Sequence, residues 1–120
     1  MTESTIKCRD LPERTFRFAN DVKNLVKRVP DTTANREYSK QVIRSSGSVG
    51  ANYIEADGAL GKGDLLMKLR TSRRESRESR YWLRLLDVGY DTVVETERIR
   101  LVQESYELLL IFSSIIQKCS

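Results

Sequence analysis

Apolar side chains recur every three or four residues in four separate stretches of this chain, with polar residues on the opposite faces, which is the pattern of amphipathic helices. The stripe Phe16, Ala19, Val22, Val26 and Val29 predicts a first helix from about Leu11, with Pro12 in its first turn, to about Val29, where Pro30 follows. Tyr38, Val42, Ser45, Val49, Asn52, Ala56 and Ala59 alternate steps of four and three, an unbroken heptad seam on a second helix from about Ala34 to about Ala59. A third seam, Leu65, Leu69, Ser72, Ser76, Ser79, Leu83, Leu86 and Tyr90, predicts a helix that Asp64 caps and that ends near Val88, with Gly89 as its stop. The fourth helix starts near Val93 and reaches Gln117 on a stripe of Ile99, Val102, Tyr106, Leu109, Phe112 and Ile116. Alternation of period two is absent, which argues against a sheet. The short Gly-Lys-Gly link between the second and third helices folds them back on each other, so the fold class is all-α, an antiparallel up-down-up-down four-helix bundle. Residues 1–10 are expected to form a flexible N-terminal segment and residues 11–120 a single bundle domain.

The second seam carries residues that weaken helix interiors. Gly47 and Gly50 each cost about 1 kcal/mol relative to alanine, and Ser45, Ser46 and Ser48 lie among them. The third seam is apolar at both ends and serine in its middle, so the two middles are expected to face each other, with small side chains allowing close approach of the backbones. Ser45, Asn52, Ser72, Ser76 and Ser79 would form a narrow polar layer there, with Glu55 on its flank as half of an ion pair with Arg44 or a partner chain. Such a layer either is a buried polar site or fixes register and pairing; coiled-coil-like seams use single polar layers in the second way. A second apolar face consists of Ile43, Gly47, Gly50 and Ile54 on the second helix and Met67, Tyr81 and Leu85 on the third. It serves either as a broad surface for the first and fourth helices or as a homo-oligomer interface.

Charge adds a more specific feature. The chain has a net charge of +4, and the third helix alone, from about Asp64 to Val88, holds +3 of it. Arg70, Arg73, Arg77, Arg80 and Arg84 are spaced by three and four and form one stripe beside the seam, with Arg74 adjacent and Lys62 and Lys68 as auxiliaries. Guanidinium groups bind phosphates in bidentate fashion, so the stripe suits a nucleic-acid backbone and carries no code for reading bases. The competing assignments are a solvated face, or pairing across a subunit boundary with acidic residues such as Glu13, Asp21, Glu95 and Glu97.

Catalytic chemistry finds little support. The chain contains no histidine, which removes the Ser-His-Asp and Cys-His relays and the commonest metal ligand. Cys8 and Cys119 lie at opposite ends and read as free thiols, not as a metal or redox pair. The run GALGKGD resembles a phosphate-binding loop, but its spacing fails and no strand precedes it. No cofactor or metal is expected. No apolar run is long enough to span a membrane, and the N-terminus lacks a signal-peptide core, so the expected location is the cytoplasm.

The stretch QVIRSSGSVGANYIEADGALGKGD, followed by LRTSRRESRESRYWLRLLDVGY, resembles the four-helix-bundle proteins of the 23S ribosomal RNA intervening-sequence family. The residues carrying the resemblance are Gln41, Arg44, Ser45, Ser48, Val49, Asn52 and Glu55, then Glu75, Glu78, Trp82, Leu83, Gly89 and Tyr90; Ala56 and Val88 depart from the usual Gly and Leu. The resemblance implies a homopentamer. It also implies kinship with the nucleic-acid-binding accessory proteins of diversity-generating retroelements, and it brings no established activity for most members. Together with the stripe, it leads to the expectation of a non-enzymatic homopentamer that binds RNA or DNA backbone with little sequence preference. The alternative is a protein-interaction scaffold with no nucleic-acid role.

Overall fold

The computed structural model describes residues 10–120, so the N-terminal segment, Cys8 included, lies outside the described residues. Four helices follow one another: α1 (Leu11–Val26), α2 (Thr33–Asp57), α3 (Lys62–Leu85) and α4 (Thr92–Cys119). Local chemistry sets their ends. Pro12 and Glu13 occupy the first turn of α1. The Thr32 hydroxyl accepts from the Asn35 amide at 3.1 Å to cap α2, and the Asp91 carboxylate accepts from the Val93 and Val94 amides to cap α4. Three ends differ from expectation. Helix α1 stops at Val26, with Lys27 as its C-cap, so Val29 lies beyond it. Helix α3 begins at Lys62, so Asp64 lies inside its first turn and favours the positive end of the helix dipole without capping it. It stops at Leu85 because Leu86 turns extended, before Gly89 takes a left-handed φ of 66°.

Contacts between neighbouring helices pair rising with falling residue numbers, so every adjacent pair is antiparallel. Arg44 reaches Glu78, Ser45 reaches Ser79, and Glu55 reaches Lys68 between α2 and α3. Between α1 and α4 the pairs are Arg14 with Glu104 and Asp21 with Arg100, and just past the end of α1 and just before the start of α4 Arg28 meets Asp91. Tyr53 of α2 meets Phe112 of α4 across the interior, with ring centroids 5.9 Å apart.

The α2–α3 seam packs as the heptad pattern predicts. Val42, Ser45, Val49 and Ala56 are buried against Leu69, Ser72, Ser76, Ser79 and Leu83. The Ser79 hydroxyl donates to the Ser45 hydroxyl at 2.8 Å, and the Ser72 hydroxyl donates to the Val49 carbonyl at 2.9 Å, so two hydrogen bonds cross the seam in a small-residue layer. Two other expected members take no part in these cross-seam bonds. Asn52 donates to the Ser48 carbonyl of its own helix, and Glu55 is exposed and paired with Lys68 at 2.7 Å rather than with Arg44. Tyr90, placed in the α3 seam by spacing, stands beyond the helix end and is fully exposed.

The stripes of α1 and α4 are turned relative to expectation. Leu11, Thr15, Phe18, Val22 and Leu25 face the core of α1, leaving Phe16 67% exposed. In α4 the buried row is Val94, Leu101, Ser105, Leu108, Phe112 and Ile116, with Ile99 and Tyr106 on the surface. Both helices carry two overlapping apolar rows, and the one that counts Thr15 or Ser105 as core is less apparent by hydrophobicity. Gly50 also moves from the expected outer face to the interior: it is buried in the α1–α2 contact, where an added Cβ would lie 2.8 Å from the Thr15 Oγ1. Asn35 ties the two connectors together, donating to the Pro30 and Asp87 carbonyls and accepting from the Asp87 amide.

Candidate nucleic-acid interface

Helix α3 buries one side in the seam, so its arginines at steps of three and four fall on the side towards α4. From Arg70 to Arg84 the row spans ~21 Å at 1.5 Å per residue. Arg70, Arg77 and Arg84 are exposed, and Arg73 and Arg80 are half-buried. Arg80 lies across the α3–α4 groove with its guanidinium 5.3 Å from the Tyr106 ring centroid, and its buried Nε has no hydrogen-bond acceptor. Among the described residues, no carboxylate lies within salt-bridge distance of Arg70, Arg73, Arg77, Arg80 or Arg84.

The structure separates these five from the other cations assigned to the same surface. Arg74, exposed beside the row, lies 3.4 Å from the Glu75 carboxylate. Lys68 is paired with Glu55, whose hydrogen bond raises the lysine pKa above its ordinary value. Lys62 stands exposed at the start of α3.

The acidic residues considered as partners for the stripe are engaged within the chain. Arg100 binds Asp21 at 2.8 Å and also binds Glu97, while Arg98 binds Glu95. The Arg100 hydrogen bond holds the Glu97 carboxyl below the usual glutamate range. Arg14 takes Glu104 at 2.7 Å and Glu107 at 3.5 Å, and these carboxylates raise its pKa. Glu13 is exposed.

A second polar centre, between α2 and α3, was missed by pattern reasoning as a buried feature. Glu75 is 3% exposed, with the Arg44 guanidinium 3.3 Å away and no hydrogen-bond donor on Oε2. Arg44 also donates to Glu78 at 2.6 Å, and the Trp82 indole N–H donates to the same Glu78 oxygen at 3.3 Å. The Glu78 hydrogen bond is the main cause of a raised Arg44 pKa. Trp82 in turn stacks on Tyr38 and meets Tyr81 edge-on. The signal was present in the sequence: Glu75 falls three residues after Ser72 and four before Ser79, on the seam's flank opposite Arg44. Arg44, Glu75, Glu78 and Trp82, all members of the motif on which the family resemblance was drawn, thus converge on one network.

Ile43, Gly47, Ile54, Met67, Tyr81 and Leu85 are exposed, whereas Gly50 is not. Among the described residues no group of three or more Cys, Asp or Glu could hold a metal ion, and no helix is long and apolar enough to cross a membrane.

Comparison with known proteins places these features. No curated protein matches the sequence. A protein of unknown function from the S23 ribosomal protein family of Bacteroides thetaiotaomicron VPI-5482 has a crystal structure that superposes with a TM-score of 0.75 at 31% identity, over 88% of this chain and 97% of that one. The family model for the 23S rRNA-intervening sequence protein matches residues 10–112, which include the α2–α3 motif and the arginine row. The chain belongs to the 23S rRNA-intervening sequence protein family.

Proposed function

We propose that this protein is a non-enzymatic, cytoplasmic homo-oligomer, a pentamer as the family resemblance implies, that binds the phosphate backbone of RNA or DNA with little sequence preference. The observation that carries this reading is the row of five arginines with no carboxylate partner among the described residues, on a molecule whose other arginines are largely ion-paired. Cations held in a line and left uncompensated favour a polyanion over a solvated, self-neutralised face. Asp21, Glu95 and Glu97, the acids weighed as partners across a subunit boundary, are engaged within the chain, which supports the same reading. Arg70, Arg73, Arg77, Arg80 and Arg84 contact phosphates, with Lys62 at the end of the row.

Ile43, Gly47 and Ile54 on α2, and Met67, Tyr81 and Leu85 on α3, are the surfaces for self-association. They lie on two helices flanking the Arg44–Glu75–Glu78 network. A contact between two different patches is heterologous, and a heterologous contact repeated by rotation closes into a ring. The exposed apolar side chains are also the feature that favours the scaffold alternative, in which the assembly engages another protein.

The test is the Arg73→Glu, Arg77→Glu, Arg84→Glu triple variant. Loss of RNA and DNA binding with helicity and sedimentation unchanged is the expected result, and undiminished affinity would overturn the assignment.

A further inference from the structure

Backbone binding leaves unused a row of exposed apolar side chains beside the arginines. Ile99, Tyr106 and Leu110 of α4 are 57%, 40% and 48% exposed and follow one another at helical spacing along its outer face. Two contacts fix their register against α3: Arg98 donates to the Arg84 carbonyl at 3.4 Å, and the Arg80 guanidinium lies over Tyr106. Because the two helices are antiparallel, Ile99 lies towards the Arg84 end, Tyr106 beside Arg80, and Leu110 towards the Arg73 end. Neighbouring carboxylates of α4 are held elsewhere: Glu97 by Arg100, Glu104 and Glu107 by Arg14, and Glu95 by Arg98. The α3–α4 groove therefore has a cationic rail along one side and an apolar rail along the other.

We infer that this groove takes a single strand of nucleic acid, with phosphates along the arginines and unstacked bases against Ile99, Tyr106 and Leu110; the inference rests on the nucleic-acid reading above. In a duplex the base faces are stacked on one another, so a duplex laid along the arginines gains nothing from the ring and brings sugar and phosphate over apolar side chains. A single strand offers each base as a free π-face, the partner that aromatic side chains and flat guanidinium groups hold in single-strand sites. Arg80 stands where the two rails meet: the structure holds its guanidinium over Tyr106 by the ring contact, so a phosphate bound there sets its base beside the ring. Charge alone favours the duplex, whose two strands give it the denser phosphate array. A preference for the single strand must therefore come from the bases.

The experiment titrates a fluorescein-labelled oligothymidylate strand, and a duplex of the same length, against the wild type and the Tyr106→Ala, Tyr106→Leu and Tyr106→Phe variants, with helicity measured for each. The strand is expected to bind more tightly than the duplex. Loss of the ring in Tyr106→Ala and Tyr106→Leu should weaken strand binding about 5- to 100-fold, with duplex binding unchanged and with Tyr106→Phe retaining affinity. Tyr106→Leu keeps apolar contact on α4, so it reports the ring even if the alanine variant loses stability. A duplex bound as tightly as the strand, or equal losses for both, would overturn the single-strand inference while leaving backbone binding in place. Failure of the wild type to bind either probe would overturn both and turn the groove over to a protein partner.

Discussion

Gly50 and Thr15 show how closely single residues are fitted in this bundle. The Thr15 hydroxyl donates to the Leu11 carbonyl at 2.7 Å, which pins its rotamer, so a Cβ on Gly50 would meet an oxygen that cannot turn away without losing that bond. Gly50→Ala should therefore destabilise the protein, because overpacking of about 1–3 kcal/mol outweighs the roughly 1 kcal/mol gained in helix propensity. Urea unfolding measures the net change, and a more stable variant would contradict the close contact. Ser79→Ala removes the donor to the buried Ser45 oxygen, leaving the Ser45 hydroxyl only its own long bond to the Val42 carbonyl, and should cost about 1 kcal/mol; an unchanged unfolding midpoint would show that the Ser79–Ser45 bond contributes nothing. The serines were legible in the sequence because they continue a heptad. Glu75 was overlooked although its spacing from Ser72 and Ser79 put it on the seam's flank, since a carboxylate between two arginine-rich turns reads as exposed until Arg44 of another helix is seen above it. Asn35 was equally hidden, because both of its partners are backbone groups of connectors distant from each other in sequence.

Among the helices, α1 is held to α4 by an edge of ion pairs as well as by its apolar row. The Glu97 carboxyl has its pKa lowered by the Arg100 hydrogen bond. A group with a depressed folded pKa contributes stability that is fully present above its unfolded value and is lost as pH falls through the folded one. Stability should thus be constant near neutrality as far as this group is concerned and decline on acidification below the ordinary glutamate range. The Glu97→Gln variant should show a smaller acid-induced loss than the wild type in urea unfolding at neutral and acidic pH; identical losses would contradict the linkage. Existence and order of the helices followed from periodicity, whereas their ends followed only roughly: α1 stops at Val26, short of the boundary that Pro30 suggested, and the Asp91 cap was not foreseen. The facing of α1 and α4 did not follow, because each carries two apolar rows, and the choice between them depends on neighbours that a single helix does not reveal. Phe16, Ile99 and Tyr106 are surface residues as a result of that choice.

For the molecule as a whole, the division of charge is the informative feature: most carboxylates beside arginines are used in tying helices together, and the α3 row is left over. The row itself was legible as a spacing. Its freedom from carboxylate partners was not, because that depends on Arg98 and Arg100 taking the acids first. Self-association makes its own prediction. Ile54→Glu combined with Leu85→Glu should lower the sedimentation coefficient to that of a monomer while helicity persists, whereas an unchanged assembly would remove those patches from the interface. The most direct test of the central claim is the salt dependence of nucleic-acid binding. If the five arginines of one row each neutralise a phosphate, the logarithm of the affinity for a single strand should fall linearly with the logarithm of salt concentration, with a slope of about −3.5 or steeper. Affinity that does not change with salt, or no binding at low salt, would contradict the phosphate-binding role of the arginine row.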